Sequence, residues 1–438
     1  MTSLTTEPGP AGDDPGGWLL EQMRVMAPHP RSITGDGVRA TLADVAKHIP
    51  LVVHEVPSGT PVLDWTVPRE WNVRSAWLAD PSGRRVVDVA DNPLHLLGYS
   101  VPVEAEMSLD ELSPHLFSLP DAPDRIPYRT SYYSDNWGFC LADDVARALP
   151  DGTYTVHIDT SLSEGSLTYG EFVLPGRGEE TVLVSTHVCH PAMANDNLSG
   201  IAVATLLAAT LAAAPGPPRF TYRFLFVPGT VGSITWLARN REVTGRVHAG
   251  LVLTGLGDRS AFTWKRSRRG DTTIDRAVEL VLAGAGEPVR VVDFSPYGYD
   301  ERQYCSPGFD LPVGRFGRGQ HGEYPEYHTS ADDFAFVDRD RLAGSYQTLL
   351  QVLNVLERDQ TWRNQAPYGE PQLGRRGLYR GVGSVMSSKA YEMGLLWMLS
   401  YSDGTHSVAD IARRSGLSFD ALADAADALA AADLLAPA

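Results

Sequence analysis

Two histidines and an aspartate follow an apolar run in Thr181-Val-Leu-Val-Ser-Thr-His187-Val-Cys189-His190-Pro191-Ala-Met-Ala-Asn195-Asp196-Asn197. Catalytic zinc takes about three protein ligands, mostly imidazole nitrogen and carboxylate oxygen, and leaves one position for water or substrate. His187 and Asp196 are the right types for half of such a site. A further imidazole, His328, sits among carboxylates in Glu323-Tyr-Pro-Glu326-Tyr327-His328-Thr-Ser330 and suits the other half. His190 precedes Pro191 and is expected to point away. Asp258, in Thr254-Gly-Leu-Gly-Asp258, reads as the end of a turn, so one metal is expected rather than two.

The elements around these residues support that chemistry. Val182–Val184 has the β-branched character of a buried parallel strand, and open α/β sheets bind ligands beyond the carboxyl ends of such strands. From Ser199 the chain is a strong helix former, which puts Asn195, Asp196 and Asn197 in the loop and capping positions before it. Taken singly, Asp196 reads as a cap and His187 as an ordinary strand-end residue; together they read as metal ligands.

Strand and helix signals alternate through 221–227, 233–240, 250–254, 272–283, 289–292 and 338–357, which predicts an α/β fold with a mainly parallel sheet flanked by helices. Helices are also expected at 16–26 and 37–48, ahead of a strand at 51–56. Between 64 and 171 short alternating segments and Asp-Pro, Ser-Gly and Asn-Pro turns indicate a small inserted β-rich domain. The expected organisation is therefore a disordered leader at 1–15, a catalytic domain at 16–63 and 172–360, a linker at 361–380 rich in Pro, Gly, Arg and Gln, and a winged-helix module at 381–438. Its helix from Ser418 to Ala432 carries Asp420, Asp424 and Asp427 and no Lys or Arg, which disfavours contact with phosphates. Protein contacts or homo-oligomer formation are expected of this module, and no nucleic acid.

Across 438 residues, 43% are apolar, enough for a sizeable core, and 37 basic against 54 acidic residues give a net charge of −17, which argues against polyanion partners. The cysteines are only Cys140, Cys189 and Cys305, an odd and sparse set that fits a reducing compartment. The first residues lack the basic start and apolar core of a secretory signal. No run approaches the ~20 apolar residues of a bilayer span. A cytoplasmic protein without membrane contact is expected.

Asp64-Trp65-Thr-Val-Pro68-Arg-Glu70-Trp71, Pro127-Tyr128-Arg129-Thr-Ser-Tyr132-Tyr133, Gly165-Ser-Leu-Thr-Tyr169-Gly-Glu171, the histidine segment, Phe294-Ser-Pro-Tyr297-Gly-Tyr-Asp300-Glu301-Arg302-Gln303-Tyr304-Cys305 and Glu326-Tyr-His328-Thr-Ser330 are long, specific strings. In them the chain resembles an aminopeptidase-like family of bacterial proteins related to zinc aminopeptidases and glutaminyl cyclases, with an inserted domain and a C-terminal winged helix. The resemblance implies that His187, Asp196 and His328 hold one zinc, and that the reaction is hydrolysis of a small-molecule or short-peptide amide at a free amino end. Asp300 and Glu301 are then expected to bind the substrate amine or to act as base, and Glu326, Tyr304, Arg302 and His321 to contact the substrate.

Two departures bear on activity. Where relatives carry a glutamate in Pro-Glu-Thr-Ile-Gly-Ser, this chain reads Pro228-Gly229-Thr230-Val231-Gly232-Ser233. Glycine cannot take a proton from water, and general-base help is worth ~10²–10⁴ in rate. Where the wider pattern has an aspartate two residues after the first histidine, the chain has Cys189, which cannot orient an imidazole as a carboxylate does. Three readings stand: another carboxylate serves as base; the metal acts as Lewis acid in cyclisation or acyl transfer; or the protein is a catalytically silent binding scaffold.

Overall fold

The computed structural model describes residues 10–378 and 385–438; residues 1–9 of the expected leader and 379–384 near the expected linker boundary lie outside the described residues. The described residues form two units, one holding 10–272 with Glu287–Gln347, the other Thr273–Gly286 with 348–378 and 385–438.

In the first unit an eight-stranded sheet runs in the order 52–57, 166–174, 221–227, 181–187, 247–253, 313–318, 262–265, 289–292. Its centre is parallel: Thr181–His187 lies between Thr221–Val227 and Val247–Leu253, and the latter pairs with Val313–Arg318. Antiparallel pairs flank this centre on both sides, and the outermost pair, Phe262–Lys265 with Val289–Val292, is parallel again, so the sheet is mixed around the expected parallel core. All seven residues of Thr181–His187 are buried, as a strand covered on both faces requires. Register pairs His187 with Val227, which places the imidazole at the carboxyl end of the sheet beside the Pro228-Gly229 turn.

Helix Gly200–Ala213 is apolar all round, and Gly200–Leu211 are all buried. With the turn before it, Ala194–Ala213 is long and apolar enough to cross a bilayer, yet 89% of that window is buried inside the protein. It is a core helix with a kink at Asp196 and Asn197, whose φ/ψ are non-helical.

The insert is a four-stranded antiparallel sheet in the order 85–88, 70–79, 153–163, 103–108. Alternate residues of Thr153–Ser163 are buried over most of its length, so one face packs inward. The chain rejoins the large sheet at Ser166, earlier than the composition change at 172 suggests, because Ser166–Leu174 pairs with Val52–Pro57 and Thr221–Val227. Arg39 fixes the root of the insert: both of its terminal nitrogens reach Glu70 at 2.7 Å, and Glu70 also accepts from the Ser166 N–H at 2.9 Å.

In the second unit, helices Val385–Tyr401, Val408–Ser415 and Phe419–Ala431 accompany a three-stranded sheet of 403–407, 361–364 and 435–437. Ser407 and Ser418 cap the second and third helices, and Gly416 ends the second at φ 70°. Thr361–Asn364, expected in a linker, is the middle strand of this sheet; Pro, Gly and Arg further along the segment mask its short extended start. The aspartates of the third helix turn toward protein: Arg358 lies 3.5, 2.7 and 3.4 Å from Asp420, Asp424 and Asp427.

Candidate metal centre

The strand-end position of His187 and the kink before helix Gly200–Ala213 bring an imidazole and a carboxylate together. His187 Nε2 lies 2.9 Å from Asp196 Oδ1, both side chains being essentially inaccessible. On the other oxygen, His328 Nε2 stands 3.2 Å from Asp196 Oδ2. The three residues expected as ligands thus converge on one carboxylate. His190, expected to point away, joins them: its ring lies 4.7 Å from that of His187 and 5.1 Å from that of His328. One ligand atom each from His187, His190 and Asp196 fall within 4.8 Å of one another. Arg31 Nε holds the His190 carbonyl at 2.8 Å, and the His190 ring packs among those of Tyr128, His187 and His328.

A dense set of backbone bonds holds the Asp196 loop. Asp332 accepts the N–H groups of Asn195 at 2.6 Å and Asp196 at 2.9 Å; Asn195 donates to Asp258 at 2.8 Å; Asn197 donates to Thr186 Oγ1 at 2.7 Å. Asp258 is therefore fully engaged as a buried loop anchor, its other oxygen taking the Ser260 N–H at 2.7 Å. Asp332, whose role nothing local in the sequence marks, has its carboxyl pushed up to about 8, first by burial and then by the charge of Asp196. His328 is held at φ 54°, a strained conformation for a β-substituted residue, with its carbonyl bonded to the Tyr128 N–H at 2.8 Å and its ring stacked on Tyr327 at 3.8 Å.

Asp196 Oδ2 and His328 Nε2 are buried without an aligned hydrogen-bond partner. Buried polar atoms normally find partners, so these open atoms fit a bound divalent cation. Cys189 does not take the orienting part of an aspartate: its Sγ accepts from the Gly229 N–H at 3.3 Å, and burial pushes the thiol up to about 12. The His187 ring stacks instead on Tyr299 at 5.0 Å.

Two cavities open on the cluster. One, of about 250 Å³, is lined by His187, His190, Gly229, Asp300, Arg302 and His321 among others. The other, of about 310 Å³, is lined by Tyr128, Cys189, His190, Gly229 and His328 among others. Asp300 is buried, accepts from Ser233 Oγ at 2.9 Å and leaves Oδ2 open. Burial raises its carboxyl to about 6, the opposing influence of His187 being smaller. A β-carbon built on Gly229 would meet both Asp300 oxygens at 3.6 Å. His321 is pulled down to about 4, chiefly by burial.

Other expected site residues lie elsewhere. Glu301 is fully buried with Oε1 on Lys265 Nζ at 2.8 Å and lines neither cavity, because the residue after Asp300 on a helical turn faces another direction. Tyr304 is fully buried, its hydroxyl on Ser185 Oγ at 2.8 Å, so it packs rather than binds substrate. Glu326 lies 4.0 Å from Arg125 and lines neither cavity. Lys265 ends the buried strand Phe262–Lys265.

The fold is that of the aminopeptidase-like proteins. Among solved structures, the zinc aminopeptidase BSAP from Bacillus subtilis superposes with TM-score 0.56 at 12% identity over 77% of this chain and 94% of that one. A peptidase M28 precursor from Shewanella amazonensis gives 0.55 at 13% over 79% and 93%. The chain belongs to the family described as Domain of unknown function (DUF4910), whose model matches residues 21–359, and a winged helix-turn-helix model matches 360–437. A Clostridium acetobutylicum protein named for polysaccharide biosynthesis with an aminopeptidase-like domain is 47% identical over 96% of both chains. A crystal structure from the same organism, named as a peptidase, has TM-score 0.91 at 46% identity, covering 97% of this chain and 96% of that one.

Proposed function

We propose that the chain is a zinc-dependent hydrolase of a peptide or aminoacyl amide with a free amino end, in which Asp300 is the general base that Gly229 cannot be. His187, Asp196 and His328 would hold the metal, and His190 stands beside them in its neutral form, since burial holds it well below the ordinary imidazole range. A divalent ion, when bound, supplies Lewis acidity toward a carbonyl oxygen and toward water.

The chain's own groups account for the remaining chemistry. Asp300, ordinarily a weak base, is raised to about 6 and is therefore better matched to proton transfer near neutrality. Arg302 and His321 line the same cavity and are suited to holding a polar substrate group, and Tyr299 and Tyr327 line it as well, limiting water. The observation that carries the reading is the placement of Asp300 against the open side of Gly229. The relative's name supports a biosynthetic setting. Three free, buried cysteines support a reducing, cytoplasmic one.

The test is turnover of aminoacyl anilides by zinc-loaded protein. Asp300→Asn should lower kcat by ~10²–10⁴ while zinc content is unchanged. Full activity in that variant would remove Asp300 from the mechanism. Acyl transfer is the second reading, supported by the biosynthetic name of the relative; reaction in ¹⁸O-water separates the two, because hydrolysis incorporates label in the carboxylate product and transfer to another acceptor does not.

A further inference from the structure

A cavity of about 580 Å³, larger than either space at the metal cluster, lies between the insert and the segment around residues 28–32. Its size is that of small-molecule sites. The walls include Arg31, Trp71, Val73, Trp77, Arg85 and Tyr128, a mixture of apolar and cationic groups. Two of the arginines on this wall have carboxylates: Arg85 lies 2.8 Å from Asp88, and Arg74 pairs with Asp159.

Arg31 is different. It is 2% exposed, its Nε donates to the His190 carbonyl at 2.8 Å, its Nη1 donates to the Met26 carbonyl, and its Nη2 has no partner. No carboxylate among the described residues neutralises it. Burial lowers its pKa only to about 10, so the charge persists at neutrality. A buried, uncompensated cation is costly, and a planar fork with one free nitrogen is suited to a carboxylate or phosphate.

We infer that this cavity is a binding site for a small organic anion, a ring-bearing molecule whose carboxylate or phosphate meets Arg31 while its body rests against Trp71 and Val73. Tyr128 belongs to both this cavity and the one at His328, and Arg31 grips the His190 carbonyl, so the ligand would sit next to the metal cluster without touching it. The inference does not depend on hydrolysis, and binding is measured without turnover.

Calorimetric titration of the full chain with glucuronate, glucose 6-phosphate and neutral glucose tests it. At least one of the two acids should bind tenfold or more tightly than glucose; which acid binds identifies carboxylate or phosphate as the recognised group. Arg31→Lys keeps a charge but loses the fork and should weaken that binding at least tenfold. Since Arg31 also braces two carbonyls, Ala90→Trp provides a second variant: Ala90 is exposed on the cavity rim, and filling the space from there should abolish binding with the circular dichroism spectrum unchanged. The inference is overturned if neither acid binds better than glucose, or if folded Ala90→Trp binds like the parent.

Discussion

Asp300 and Gly229 share one space at the carboxyl end of the sheet: a β-carbon at 229 would stand 3.6 Å from each Asp300 oxygen and 3.3 Å from the His187 β-carbon. A carboxylate is thus present beside the His187, Asp196 and His328 cluster, delivered by a segment other than the Pro228–Ser233 turn. Gly229→Glu alone would bury two like charges together and crowd the site. We expect it to lose ~1–3 kcal/mol of stability, the usual cost of overpacking, and most of its activity. Combined with Asp300→Asn, the new glutamate should recover part of both. A double-mutant cycle read by denaturant unfolding and kcat checks this; additive effects would mean that the two positions do not compete.

His190 stands within the cluster but is assigned no metal. His190→Ala should therefore keep one zinc per chain with affinity reduced by no more than ~10–100-fold, the range for groups around a metal's ligands. His328→Ala should leave the protein without zinc at equal concentration. Metal content after gel filtration distinguishes them, and zinc retained by the His328 variant but lost by the His190 variant would exchange their roles.

Glu70 is held down to about 2, mainly by its double hydrogen bond to Arg39. A carboxyl depressed in the folded state stabilises above its ordinary value, and that contribution disappears as acid protonates it. The parent protein should therefore lose this part of its stability between about pH 4.5 and 2. Acid titration of unfolding should show a shallower decline in Glu70→Gln over this window, and identical slopes would show that the Arg39 contact contributes nothing.

Arg358, with only 4% of its side chain exposed, serves three partly exposed aspartates of helix Phe419–Ala431. Solvent weakens each pair, but removal leaves three like charges facing one another. Arg358→Met should destabilise the C-terminal unit by about 1–2 kcal/mol, between the values for exposed ion pairs and for hydrogen bonds to charged groups. Hydrogen exchange of that helix reads the change; unaltered protection would make the contacts incidental.

Much of the centre was legible because its chemistry is local. A buried strand ending in His187 and a cap-rich loop before a helix fix where that imidazole and the Asp196 carboxylate go, and Asp300 is recognisable as a carboxylate at a loop end. Three features were not. The direction of His190 follows from its packing among the rings of Tyr128, His187 and His328, which a Pro after histidine does not reveal. Glu301 loses its availability to Lys265, a buried strand residue thirty-six positions away in the chain. Val313–Arg318 is a buried strand despite two arginines, since Arg318 finds Glu287 at 2.9 Å and Arg315 donates to the Gly319 carbonyl at 2.8 Å. Such pairings join distant segments and leave no local periodicity.

The most direct test of the centre is anomalous diffraction at the zinc edge from crystals of the full chain grown with zinc. The account predicts one strong peak within bonding distance of His187, Asp196 and His328, with Asp300 facing it from across the Gly229 turn. A peak elsewhere, or none at this cluster, would contradict it.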